Sequence, residues 1–385
     1  METELKKIGI LAFVKEEYGG VLQYTQSIVK ALTYDKENNY VIFCNVKNKI
    51  FDNYGFEVRK INEYKDSLFI NMLKLLALNF NFSINFFLTK QEKKIFNDID
   101  FFISPTITAY PHYFLNKPFI FTLHDMQERY YPSFFTLKEK IRRIILNKAL
   151  AKKADKIICE SEFVKNDIMK FLKIDANKVF VIPAPPPENF INFKFDYNNF
   201  DKIKAKYNLP DKYLFYPAHF WFHKNHLKLI EAFGLVTERH NDICLILTGS
   251  KQNNYDNVLK KIKELNLDNK IKHLGLIDYL DLPYIYKMSL MLVMPSLFES
   301  ISIPIYEAFA LKVPVCCSNV TAIPWQVGDA GFIFDPFNVN DIAKNILLYI
   351  ENEDLRKEKA EKGFNKVFNF NHREYFENLK KLLSV

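Results

Sequence analysis

Residues 295–315 read PSLFESISIPIYEAFALKVPV, and this stretch decides the fold. It follows SLMLVM, a short apolar run of the length and bounds of a buried strand. Pro304 suits the first turn of a helix, where its missing N–H costs nothing. The helix then runs through IYEAFAL, with Ser302 just upstream as a capping candidate, and PVCCS reads as the next strand. Strand, loop, helix and strand in this order make a parallel crossover unit. The stretch also places Glu299 before the helix and Glu307 inside it, eight residues apart. A helix N-terminus offers unpaired N–H groups and a positive dipole end, which suits a phosphate. A carboxylate one turn into the helix, Glu307, accepts a pair of hydroxyls such as a ribose 2′,3′-diol. Glu299 in the preceding loop reaches a second polyhydroxylated group. The ordinary alternative leaves Glu299 solvated and Glu307 answering the helix dipole.

Working outward, the same alternation fills the chain. In the first half KKIGILAF, YVIFCNV, DFFIS, PFIFTLHD, DKIICE and KVFVIP read as strands. YGGVLQYTQSIVKAL, LKEKIRRIILNKALAKKA and SEFVKNDIMKFL read as helices, the last with Ser161 as N-cap. Three consecutive prolines within APPPENFINFKFDYNNF, residues 184–200, continue neither a strand nor a helix and mark a linker. In the second half YLFYPA, ICLILTG, KIKHLG, SLMLVMPS and PVCCS are strands. Helical segments lie between them, and two more finish the chain, NDIAKNILLYI and roughly 352–383. The expected fold class is α/β, with two Rossmann-like doubly wound domains facing across a cleft. The boundaries expected are 1–190, 191–365, and a terminal helix over 366–385 crossing back to the first domain. A chain of 385 residues is long enough for two cores.

Composition narrows the function classes. The net charge of +8 is spread along the chain rather than gathered in a tail. Nucleic acid would fit such a charge but no motif accompanies it, and an anionic membrane face or phosphorylated substrates suit the charge equally well. The five cysteines have no metal-ligand spacing and read as reduced core thiols of a cytosolic protein. METELKKIGILAFV lacks a cleavage site for a secretory signal. The longest apolar stretch, residues 67–88, carries Lys74 and four asparagines. Burying those amides in a bilayer is costly, so it reads as helix in the core or lying on a membrane surface.

In doubly wound sheets ligands bind past the carboxyl ends of the strands. The candidates there are Gly19-Gly20, His124-Asp125, the HFWFHKNH segment, Thr248-Gly249 and the segment of the two glutamates. Glycine at position 20 lets backbone approach a ligand, and a helix begins there. His219, His223 and His226 surround Lys224. The cluster is either a metal site, without a carboxylate ligand, or a phosphate-binding lysine, and the lysine is the better reading.

With these residues in place, the sequence resembles a retaining glycosyltransferase of family 4, the glycosyl transferases group 1, with GT-B architecture. The resemblance rests on PSLFESISIPIYEAFALKVPV and on its flanks SNVTAIPWQVGDAGFIFDP, KHLGLI, YPAHFWFHKNHLKLIEAF, LHDM and ICESEFVKNDI. It is dense over residues 118–370. It implies that Glu307 holds the ribose and that Glu299 holds the donor sugar near the reacting carbon. It implies that Lys224, with His219, Asn225 and Gly249 around it, serves the diphosphate. The backbone of Ser300, Ile301, Ser302 and Ile303 would contact sugar and phosphate, and Ile277 the base. His124 would serve the donor sugar from the opposite domain, and Gly20 would lie beside diphosphate and acceptor. Glu299, Lys224 and His124 are the catalytic expectations, with no metal and no cofactor. This sequence departs from the family pattern at Ser300 and Ser302, where the family has glycines. His219 and Ala218 occupy the positions where an arginine is usual, and Trp325 that of an acidic residue.

The resulting expectation is transfer of a hexose-type sugar from a nucleotide-diphosphate sugar to a glycan or lipid-linked glycan in cell-surface polysaccharide synthesis. The protein would be cytoplasmic, with peripheral contact to an anionic membrane through the basic face of residues 138–153, and would not bind nucleic acid. One rival is a catalytically weak or inactive GT-B membrane-associated partner protein. The other is an NAD-dependent oxidoreductase, which would need G-x-G-x-x-G where the chain has EYGGVLQY.

Overall fold

The computed structural model describes residues 6–383 apart from 15–18, 62–67, 81, 83, 89 and 115–116. It divides into two compact units, Met1–Ala184 with His372–Val385, and Pro185–Asn371. The divisions thus fall at 184/185 and 371/372, not at 190/191 and 365/366. The second unit already begins within the proline run. At the other end, the expected helical tail breaks between the helices Glu353–Val367 and His372–Leu383. The terminal helix packs on Gly20–Leu32 of the first unit through Tyr375, Phe376 and Leu379.

The first unit holds seven strands: β1 (Lys7–Leu11), β2 (Asn39–Asn45), β3 (Glu57–Ile61), β4 (Phe101–Ser104), β5 (Phe119–Thr122), β6 (Lys156–Cys159) and β7 (Val179–Val181). Their order is β3-β2-β1-β4-β5-β6-β7, and every pairing is parallel. The strand β3 was not expected: EVRKI carries three charges and shows only edge-strand alternation. Such a sheet needs cover on both faces, and two apolar clusters provide it.

The second unit holds β8 (Tyr213–Pro217), β9 (Cys244–Thr248), β10 (Ile271–His273), β11 (Met291–Met294), β12 (Val315–Ser318) and β13 (Gly331–Phe334). Their order is β10-β9-β8-β11-β12-β13, again all parallel. The strand order reverses between β8 and β11 here, and between β1 and β4 in the first unit. At those points neighbouring crossovers leave on opposite faces, which opens a crevice at the carboxyl ends.

The apolar 67–88 stretch divides its residues, those at 67, 81 and 83 lying outside the described ones. Leu78, Ile84 and Leu88 join Tyr113, Leu146 and Ala149 in a core. Met72, Leu76, Phe80, Phe82 and Phe86 face solvent. The basic helix Leu137–Lys153 packs against Leu68–Asn79 and begins with a capping box, Thr136 with Glu139. All five cysteines are free thiols. No helix among the described residues is long and apolar enough to cross a membrane.

Candidate active site

Lys224 and Glu299 meet. Lys224 ends the short turn Phe222–Lys224 in the loop after β8, and Glu299 lies in the loop after β11. Because β8 and β11 are neighbours at the switch point, the Lys224 Nζ and a Glu299 carboxylate oxygen are 2.5 Å apart. The pair keeps partial solvent contact, with side chains 22% and 11% exposed. Residues assigned from the sequence to phosphate and to sugar are thus bonded to each other.

The loop carrying Glu299 is held from behind. The Thr321 hydroxyl accepts the Glu299 N–H at 3.1 Å and lies 2.6 Å from its carbonyl oxygen. Thr321 itself has φ of +55°, an uncommon conformation for a β-branched residue. Such outliers persist where the surroundings over-determine them, and they gather at sites. The Gln326 amide then closes a two-way clamp on Ser302, accepting its N–H at 2.9 Å and donating to its carbonyl at 2.7 Å.

Two of the sequence expectations change around this loop. Ser302 stands at the N-cap position of the helix Ile303–Ala310, but its side chain does not cap. The hydroxyl instead donates to the Met294 sulfur at 2.8 Å, and the Ser302 N–H is already engaged by Gln326. A glycine there would lack the hydroxyl bond. Asn225 changes likewise. Its amide donates to the carbonyls of Pro295 at 3.0 Å and Pro336 at 2.9 Å, so both N–H groups tie loops together rather than point at a ligand. Ile301 is buried in the core of its unit, so its contribution to the loop is backbone alone. Ser300 and Ile303 are half-buried beside it.

Glu307 is buried one turn into the helix, and Tyr286 donates its hydroxyl to one carboxylate oxygen at 2.7 Å. Burial first, then the Glu307 charge, push the Tyr286 hydroxyl well above its ordinary pKa and keep it a donor. Tyr286 was not visible in the sequence, because YLDLPYIYKM reads as any short apolar helix.

The loops after β8, β9 and β10 are stitched together. Gly249 donates its N–H to Gly275 at 2.8 Å, and Ala218 donates to Thr248 at 3.1 Å. Gly249 has φ of +125°, and a Cβ there would meet the Ala218 carbonyl oxygen at 2.6 Å. Only glycine fits. Ile277 follows β10, partly buried against the core. His219 Nδ1 accepts the Ser250 N–H at 2.9 Å, which leaves a ring proton on Nε2. His223 and His226 do not join it as ligands. Burial, aided by the Lys224 charge, pushes His223 down to about 2 and His226 down to about 3, and His226 stacks on Phe220. No group of three or more His, Cys, Asp or Glu among the described residues is placed to hold a metal ion.

In the first unit, Gly20 opens the helix Gly20–Leu32 after β1. His124 lies just past β5, and its Nδ1 is 3.0 Å from a carboxylate oxygen of Glu160, just past β6. Its Nε2 is 2.8 Å from the Pro105 carbonyl, just past β4. Tyr24 meets the ring edge-on at 4.7 Å and exchanges a hydrogen bond with Thr122. Glu160 was read in the sequence only as the polar end of a strand.

Comparison with known proteins agrees with the fold. The model of glycosyl transferases group 1 matches residues 199–366, and that of glycosyltransferase family 4 matches residues 18–185. The chain is 28% identical to O-antigen chain mannosyltransferase B of Escherichia coli over 63% of its own length and 64% of that protein's. It is 26% identical to O-antigen chain mannosyltransferase RfbU of Salmonella typhimurium over 52% and 51% of the two lengths. The chain therefore spans less than two thirds of these relatives. A crystal structure of Anabaena Alr3699/HepE in complex with UDP and glucose superposes with a TM-score of 0.78 at 16% identity, covering 98% of this chain and 99% of that one. That likeness establishes the fold, and the two family models cover one unit each. The chain belongs to the glycosyl transferases group 1 family and has the GT-B fold.

Proposed function

We propose that this chain transfers a hexose-type sugar, mannose first among the candidates, from a nucleotide-diphosphate donor to a glycan or lipid-linked glycan, with retention at the anomeric carbon. The observation that carries the reading is the Lys224–Glu299 pair at the switch point of the second sheet. A cation and a carboxylate at a crevice match the two ends of a sugar diphosphate. As the bond from the anomeric carbon to the diphosphate breaks, negative charge gathers on the leaving group. A preorganised cation there lowers the barrier, and no metal is required in this reading. Glu299 then holds the sugar, Glu307 the ribose and Ile277 the base, with His219 beside the diphosphate. In the first unit, His124 serves the donor sugar and Gly20 the diphosphate and acceptor. The polysaccharide setting follows the names of the relatives, which are O-antigen mannosyltransferases.

A thermal-shift panel of UDP, GDP, ADP and their sugars, followed by transfer and donor-hydrolysis assays, tests this reading. The expected outcome is stabilisation by one nucleotide class and turnover of its sugar. Stabilisation without transfer or hydrolysis favours the second reading, a non-catalytic partner protein; no stabilisation by any of them refutes a nucleotide-sugar site. The acceptor reading adds peripheral docking on an anionic membrane, supported by the exposed Met72, Leu76, Phe80, Phe82 and Phe86 and by the basic helix Leu137–Lys153. Sedimentation with anionic liposomes should show binding that weakens with salt.

A further inference from the structure

The His124 ring has no nitrogen to spare. The Pro105 carbonyl can only accept, so Nε2 carries a proton, and Nδ1 faces the Glu160 carboxylate. An imidazole with an acceptor at each nitrogen is satisfied only when both carry protons, with Glu160 as the counter-charge. We propose that Glu160 is a positioning residue: it fixes His124 in orientation and holds it as an imidazolium, and the pair sets the alkaline limit of sugar transfer. This rests on the reading above that His124 serves the donor sugar.

The surroundings support the assignment. Glu160 is almost fully buried, and a buried carboxylate without a partner is costly. Burial alone would lower the His124 pKa, but the hydrogen bond and charge of Glu160, with the Pro105 carbonyl and Asp125, raise it above its ordinary value. Asp125, next in the chain, is itself paired with Arg143. Tyr24, from Gly20–Leu32, and Tyr375, from the terminal helix, lie near Glu160 and are both driven upward mainly by burial, so they remain neutral. The Cys159 thiol is pushed up to about 12 by burial and stays neutral too. Glu160 is thus the one charged partner at the His124 nitrogens among the described residues. A His124 with both N–H groups engaged offers the sugar its positive charge and its ring edge, not a free donor.

The test is proton NMR titration of the His124 ring, assigned by loss of its signal in His124→Gln, alongside the pH dependence of kcat and KM. In the wild type, His124 should titrate above the ordinary histidine range, with transfer falling as pH rises through that same value. In Glu160→Gln, which keeps the shape, burial takes over and the titration should drop below the ordinary value. Transfer should then fall about tenfold per pH unit above the new value, in kcat rather than KM, and recover toward acid pH. A wild-type His124 that titrates at or below the ordinary range overturns the proposal, even if the variant fails to fold. So does an unchanged titration in Glu160→Gln. If the titration moves and the pH–rate profile does not, the alkaline-limit claim falls. Loss of transfer in His124→Gln alone would then show that His124 still serves the donor.

Discussion

Two acid–base pairs stand at the carboxyl ends of parallel strands, one in each unit, and they differ in what a ligand can do to them. Lys224–Glu299 joins two long side chains from loops, 2.5 Å apart and partly exposed. His124–Glu160 joins a rigid ring to a carboxylate that is 4% exposed, and the ring's second nitrogen is held by backbone. Water competes for the first pair, so its net contribution is small, and in the proposed reading a diphosphate displaces the carboxylate. The second is shielded, so removing either member strands the other. In the proposed reading the first is exchanged and the second stays. Glu299 would then return to Lys224 after sugar transfer and compete with the nucleoside diphosphate.

The comparison breaks most visibly in stability. Glu160→Ala should cost about 1–3 kcal/mol in urea unfolding, because it leaves the buried His124 ring without its hydrogen-bond partner. Lys224→Ala should change stability by no more than about 1 kcal/mol. An equal loss in both variants would end the distinction. In turnover the order reverses within the second unit: Lys224→Ala should lower kcat by about 10²-fold or more, from loss of leaving-group stabilisation. Near wild-type turnover would remove Lys224 from the mechanism. Glu299→Gln sharpens the idea of an exchangeable pair. Calorimetry should find free nucleoside diphosphate bound up to about fivefold tighter, the worth of one exposed ion pair, while sugar transfer falls. Weaker diphosphate binding would mean that Glu299 does not compete for Lys224. In nucleotide binding the smallest effect is expected from Tyr286→Phe, which deletes one hydrogen bond to Glu307. It should cost about 1–2 kcal/mol of stability and weaken nucleotide binding a few fold. Unchanged affinity would separate Glu307 from the ribose.

Much of this arrangement was legible beforehand. The strand–helix alternation followed from apolar periodicity, and Pro304 marked the start of its helix because a proline ring is tolerated only in the first turn. The proline run marked the division between units, within a few residues. Ser161 capped its helix as read, accepting the Val164 N–H. What was not legible was the use of polar side chains as scaffold. Nothing local distinguishes Asn225, which ties two loops, from an amide that points at a ligand. The same holds for Ser302, whose hydroxyl turned inward to Met294, and for Gln326 and Thr321, which grip the glutamate loop.

The sequence by itself determined the two parallel sheets, the carboxyl-end loops as the place for chemistry, and Lys224, Glu299 and Glu307 as residues to watch. These follow from short-range physics: side-chain period, turn residues and helix termini act within a few positions of the chain. Only the tertiary structure decided which of them touch. Strand order brings β8 beside β11, and so closes a 75-residue separation into one ion pair. Strand order likewise sets β5 between β4 and β6, so that His124 lies between Pro105 and Glu160, 19 and 36 residues away in the chain. Whether a carboxylate waits for a ligand or is already paired depends on neighbours distant in sequence, and no local pattern encodes them.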